Sequence, residues 1–321
     1  MKTFYWLVKR EFWEHRGGFL WAPVWSAGIV WLTTLMGIIS AEVFRSKAGI
    51  RLNGVDIGSM SKSLDADNLT RVGYAIDAYM MSPAFLVSVV MFVVVLFYAM
   101  NTLAEDRRDR SILFWKSLPV SDRDTVLSKL FCAAVLVPAI AIAVSIAASL
   151  AMLILVAVVA AFHGFNLGQV LWSLPHPFSI AFNLIANLPL YVVWALPSIG
   201  WLLLASAWSR SRTFLWAIML PVGAGVLVSW FNLMGSIGIE TSWFWKNIVG
   251  RALLSIYPGS WMPEQFYDAA RQGDIKDPST LFNVLHVDYS LLLTAPFLIG
   301  AVAGIVMIAA AIWLRRWRTD A

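Results

Sequence analysis

Apolar residues gather in six long runs, at about 19–41, 83–103, 130–161, 179–207, 214–236 and 289–314, with polar stretches of unequal length between them. A helix needs about 20 residues to cross ~30 Å of hydrocarbon, so each run predicts a membrane span. The third run would reach about 48 Å as one straight helix, so it must tilt, kink at Pro138 or project beyond the bilayer. Pro189 and Pro197 predict a broken or bent helix in the fourth. Ahead of the first run, residues 1–18 read MKTFYWLVKREFWEHRGG. Phe4, Val8 and Phe12 fall four apart with Tyr5 and Trp13 beside them, while Lys2, Lys9, Arg10 and Arg16 supply charge. This pattern predicts an amphipathic helix along a membrane interface, with Gly17-Gly18 as the hinge into the first span. The apolar run that follows, about 23 residues, is too long for a signal peptide.

The polar stretch Glu105–Lys129, EDRRDRSILFWKSLPVSDRDTVLSK, separates the second and third runs and carries 11 charges in 25 residues. An apolar knuckle of Ile112, Leu113, Phe114 and Trp115 stands among those charges. Helix formers extend from Glu105 to about Lys116, with Glu105 and Asp106 in the first turn, where negative charge suits the helix dipole. Pro119 ends that helix, and Ser121 with Asp124 three residues on caps the next. The outer segments also carry helical signals. Turn residues in 42–82 precede a helical stretch near 67–81. In 237–288, Trp245, Ile248, Val249, Ala252, Leu253 and Ile256 recur at helical spacing until Pro258-Gly259 breaks the run. A second short helix, about 262–272, ends near Gly273. The pattern predicts an all-α polytopic membrane protein: a cytoplasmic interfacial helix over 1–18, then one six-span domain over 19–321 with a polar loop at 104–129.

Composition sharpens this picture. The chain is 60% hydrophobic and 13% charged, with mean hydropathy +0.72, against about 45–50% and ~25% for a soluble domain. The net charge of +5 does not point to nucleic acid, because its distribution follows the spans. With the N-terminus inside, the inner segments hold 15 Lys and Arg in 57 residues, and the outer segments hold 9 in 110. The positive-inside rule therefore places both termini in the cytoplasm. The single cysteine, Cys132, excludes an intrachain disulfide and a cysteine-based metal site.

The six span cores contain no Asp, Glu, Lys or Arg, which argues against a proton- or sodium-coupled transporter and against a voltage sensor. No phosphate-cradling G-x-x-x-x-G-K-[ST] motif is present, so this chain does not hydrolyse ATP through one. His15, His163, His176 and His286 show no zinc-ligand spacing. Gly235-Ser236-Ile237-Gly238 faintly suggests a serine nucleophile, but no histidine lies in a span to act as its base. Asn183 and Asn187 share one helical face, with Ser198 about three turns on; they either bond between helices or line a substrate path. Trp194, Trp201 and Trp208, seven apart, read as packing or lipid-facing aromatics, or as a stacking ladder.

Together, FYWLVKREFWEH, six spans with both ends inside, the charged EDRRDRSILFWKSLPVSD between spans two and three and a helical outer segment between spans five and six resemble the permease subunit of bacterial ABC transporters of the ABC-2 type, the type V exporter fold. The resemblance implies a location in the bacterial inner membrane and a coupling helix after span two that sits in a groove of a separate ATPase subunit. It assigns that contact to Glu105, Asp106, Arg107, Arg108, Arg110, Ile112, Leu113, Phe114, Trp115 and Lys116. It also implies a dimer with a second permease copy or a paralogue, and ATP and Mg held by the partner rather than by this chain. The 41 residues between spans one and two make a polysaccharide cargo doubtful and fit a drug, peptide-antibiotic or lipid-like one. The alternative is a non-transporting sensor or assembly factor that signals through the 104–129 loop.

Overall fold

The computed structural model describes residues 2–47, 66–108, 121–162, 176–209, 212–235, 240–261 and 289–317. Among these the chain is helical, with no strand. Six helices are long and apolar enough to cross a membrane: Gly17–Phe44, Ile76–Arg108, Asp122–Phe162, Pro177–Trp208, Thr213–Gly235 and Ala295–Trp317, here spans one to six. They coincide with the six apolar runs. The N-terminal helix Lys2–Glu14 packs beside the start of span three at one end of the bundle, here called proximal. The segment Thr241–Trp261 occupies the other, distal end.

Several spans exceed their expected bounds, and Pro83, Pro138, Pro189 and Pro221 are each accommodated locally. The expected helix near 67–81 is not separate. It forms one 43-residue helix with span two, Ala66–Arg108, through Pro83. Proline at 83 cannot donate to the Tyr79 carbonyl, and the Ser82 hydroxyl donates to that oxygen instead at 2.8 Å. No breaker stands between Tyr98 and Arg108, so Glu105 and Asp106 lie in the last turns of this helix rather than the first turn of a new one.

In span three a π-helical turn, Cys132–Leu136, directly precedes Pro138, and the Val137 N–H reaches back to the Cys132 carbonyl. The i→i+5 bonding of this wider turn lies where Pro138 would interrupt the regular ladder. A similar turn, Gly17–Trp21, joins the N-terminal helix to span one. Span four breaks at Asn187, between helices Pro177–Ala186 and Leu188–Trp208, and Pro189 takes a first-turn position where no donor is needed. In span five Pro221 frees the Ala217 carbonyl, which accepts from the Trp201 indole N–H at 2.8 Å.

Span four is the hub, packed most extensively on span six. Glycines allow that approach: a methyl group on Gly304 would lie 2.6 Å from the Leu196 carbonyl carbon, and one on Gly200 would lie 2.8 Å from the Gly304 oxygen. The distal helix Thr241–Leu253 and the turns after it do not lie flat on the bundle. Ser255 and Ile256 are buried, and the Ser255 N–H reaches Ser198 at 3.0 Å. Ser198 stands about 15 Å from Trp208 at ~1.5 Å per residue, so the segment enters the bundle itself. The turn out of it uses Gly259 at φ 84, a left-handed conformation that a side chain would strain. The expected helix at 262–272 lies outside the described residues, as do His163, Ser236 and His286.

Candidate functional site

At the proximal end four elements bring charged side chains into one buried cluster. Tyr98, Thr102 and Asp106 recur every fourth residue and so share a face of span two. In span three Val126 and Lys129 turn the same way from Asp122, and Gly300, Gly304, Ile308, Ala311 and Arg315 form the buried stripe of span six. Glu11 lies beside Leu7 on the inward face of the N-terminal helix, while Tyr5, Trp6 and Trp13 are exposed.

These faces converge on Lys129. Its ammonium donates to Glu11 Oε1 at 2.9 Å and Thr102 Oγ1 at 2.8 Å, and stands 3.4 Å from Asp106 Oδ1. Arg315 bridges the other Asp106 oxygen at 2.9 Å and reaches Asp122 at 3.2 Å. The Tyr98 hydroxyl donates to Glu11 Oε2 at 2.8 Å. Glu11 and Lys129 are each 2% exposed, Arg315 6% and Asp106 7%. Removing such groups from water costs several kcal/mol each, and only a network in which every charge finds a partner offsets that. Arg10, 3.6 Å from Glu11, adds a cation at the rim.

Asp106 and Asp122 flank the polar loop, whose residues 109–120 lie outside the described residues. Arg315 holds both flanks. Next to Asp106, the Arg107 guanidinium donates to the carbonyls of Ser206, Ala207 and Ser209, the last at 2.8 Å, where span four ends with unpaired acceptors. The Ser206 hydroxyl in turn accepts from the Leu103 and Ala104 N–H groups. Both roots of the loop are thereby tied to the N-terminal helix and to span six, and the first of them also to span four.

The residues expected to touch an ATPase subunit divide accordingly. Asp106 and Arg107 point into the bundle, and Glu105 and Arg108 are exposed. Arg110, Ile112, Leu113, Phe114, Trp115 and Lys116 lie outside the described residues. The expected path residues do not form one lining. Asn183 and Asn187 bond locally to Ser179 and Asn183, and the break at Asn187 separates them from Ser198. Asn187 also borders a cavity of about 80 Å³ shared with Tyr191, whose buried hydroxyl has no hydrogen-bond partner among the described residues. Ser198 donates to the Arg251 carbonyl at 2.7 Å and accepts from Ser255, so its hydroxyl anchors the distal segment.

No family model, no curated protein and no solved structure matches the chain. The site therefore rests on its own geometry. The tryptophans at 194, 201 and 208 are fasteners. Trp194 donates to Ser260 and carries the Arg251 guanidinium 3.5 Å from its ring centre, Trp201 donates to span five, and Trp208 packs edge-on against Trp216. Arg251 also needs Gly300, where a methyl group would fall 1.8 Å from its Nη2. On the distal side of spans two and four, buried Asp77 accepts the His176 N–H at 2.8 Å and pairs with its ring at 3.0 Å, docking the start of span four. Glu11, Glu14 and His15 place ligand atoms within 4.8 Å of one another. Both Glu11 oxygens are already taken by Lys129 and Tyr98, so this trio is not a free metal site.

Sequence reading missed the charge cluster because its members sit at span ends, where charge is ordinarily solvated. Two signals were available: the Tyr98, Thr102, Asp106 spacing, and an acidic residue, Glu11, within an otherwise apolar helix face.

Proposed function

We propose that this chain is the membrane subunit of an ATP-driven exporter, with ATP and Mg bound by a separate ATPase subunit that grips the 104–129 loop. The proximal end would then face the cytoplasm, in the inner membrane of a bacterium. Two copies, or this chain with a paralogue, would enclose the path for an amphipathic, drug, peptide-antibiotic or lipid-like cargo.

The observation that carries this reading is the rooting of the loop. Its two flanks, Asp106 and Asp122, are held by one arginine at the end of span six, and Asp106 shares Lys129 with the N-terminal helix. A force on the loop moves those carboxylates against Arg315 and Lys129. The cluster either moves as a unit, carrying the N-terminal helix and span six with it, or loses partners in a buried setting. Arg107 carries the same displacement to the end of span four. An alternating-access transition needs a link of this kind between a surface loop and several helices.

The test is co-purification of the tagged chain from its native host, beside a Phe114→Asp plus Trp115→Asp variant. The expected result is a protein with a phosphate-binding loop that accompanies the parent and is lost with the variant. Absence of any ATPase with the folded parent overturns the exporter reading. A different cytoplasmic partner in its place favours a signalling role for the loop.

A further inference from the structure

A cavity of about 470 Å³ opens at the proximal end, between the π-helical Gly17–Trp21 turn and span two. Its size falls within the ~300–1,000 Å³ typical of small-molecule sites. From its composition we infer that it binds an amphipathic organic cation, with the charge between Glu14 and Glu105 and the apolar body against Phe19, Val93 and Phe97.

The sign of the charge follows from the lining, which among the described residues holds two glutamates and one histidine, His15, and no lysine or arginine. Glu14 is bridged to Arg10 at 2.8 Å, but Glu105 forms no ion pair among the described residues. The nearby cations face elsewhere, Lys9 over the Trp6 ring and Arg16 over Trp13. An anion would meet two carboxylates, and a neutral apolar molecule would leave Glu105 without a counter-charge among the described residues. A cation gains from both and from the electron-rich faces beneath.

The floor is built and rigid. Phe19 is buried, with its ring 4.9 Å from that of Tyr98 and 5.6 Å from that of His15. Tyr98 is in turn fixed by its bond to Glu11 within the buried ion cluster. The hollow exists because the wall contributed by the π turn is glycine. A methyl group on Gly17 would meet nothing within 4 Å, and one on Gly18 would only touch Val94 at 3.5 Å. The site would therefore take a bulky, compact cation rather than a thin chain.

Whether such a cation is export cargo rests on the exporter reading above; its binding does not, and can be measured without ATP or any partner. The experiment is equilibrium dialysis of tetraphenylphosphonium against the full chain in phosphatidylcholine nanodiscs, corrected with empty discs. Tetraphenylborate, an anion of the same shape, is the counter-probe. The expected result is saturable binding of the phosphonium at one site per chain, and none of the borate. Glu14→Gln with Glu105→Gln should weaken it at least tenfold, and Gly17→Leu, which fills the hollow without touching a charge, should abolish it. Equal saturable binding of the borate, or parent-like affinity in both variants, overturns the inference. Repeating the measurement with phosphatidylethanolamine in the discs assigns the source. Competition means that a lipid ammonium occupies the cation site, and no competition means that it serves a free cation.

Discussion

At the scale of single residues, Lys129 carries most of the consequence. It satisfies Glu11, Thr102 and Asp106 at once. Replacement by methionine keeps the chain's bulk but leaves buried Glu11 facing only the rim cation Arg10 at 3.6 Å and takes a cation from Asp106, which keeps Arg315. Breaking a buried pair in this way costs about 3–5 kcal/mol. Lys129→Met should therefore lower the thermal midpoint of the detergent-solubilised protein sharply, measured by loss of its monodisperse size-exclusion peak. Adding Glu11→Gln removes one orphaned charge, so the double variant should be more stable than Lys129→Met alone; strictly additive losses would show that the cluster does not act as a unit. A second residue-scale case lies at Gly300. Gly300→Ala places a methyl group where the Arg251 guanidinium sits. It should uncouple the distal segment and raise hydrogen exchange at Ser255 and Ile256, whereas Gly223→Ala, with open space around it, should leave exchange there unchanged.

Elements were more legible than residues, for a physical reason. Hydropathy integrates over about 20 positions, so six spans stand out even when the detailed packing does not. What the pattern missed was continuity. The helical stretch near 67–81 and the span from about 83 read as two elements, yet Ser82 supplies the donor that Pro83 lacks, and one helix runs through both. The same logic links spans four and five through Trp201 and Pro221. If the indole is there to satisfy the Ala217 carbonyl, Trp201→Phe should cost about 1–3 kcal/mol, the price of an unpaired buried acceptor. In a Pro221→Ala background the restored backbone N–H can reach Ala217 itself, so the same Trp201→Phe change should cost less. Equal losses in the two backgrounds, read from thermal unfolding, would mean that Trp201 acts only by filling space. The candidate site divides similarly: the charged loop was evident from its composition, but the inward turn of Asp106 and Arg107 was not. Composition records how many charges a stretch has, and only helical phase relative to neighbouring elements decides which of them are buried.

At the scale of the whole molecule, burial is uneven in a way that fits a subunit working against other surfaces. In span four 61% of the apolar window is buried inside the chain, against 17% in span five and 6% in span one. Spans one and five thus offer their apolar faces to lipid or to a second copy, while span four holds the bundle together. The proposed function requires the proximal end to lie in the cytoplasm, the side that the density of Lys and Arg predicts. The single cysteine is buried, so a Cys132→Ala background allows one reporter at a time. Trp6→Cys and Trp317→Cys mark the proximal end, and Phe162→Cys and Leu293→Cys mark the distal end, all at exposed positions. In intact spheroplasts a membrane-impermeant maleimide should label the distal pair and spare the proximal pair, and inverted vesicles should reverse the pattern. The opposite outcome would put the 104–129 loop and the carboxylate-lined cavity outside the cell. No cytoplasmic ATPase could then reach the loop, and neither the exporter reading nor loading of a cation from the cytoplasm would survive.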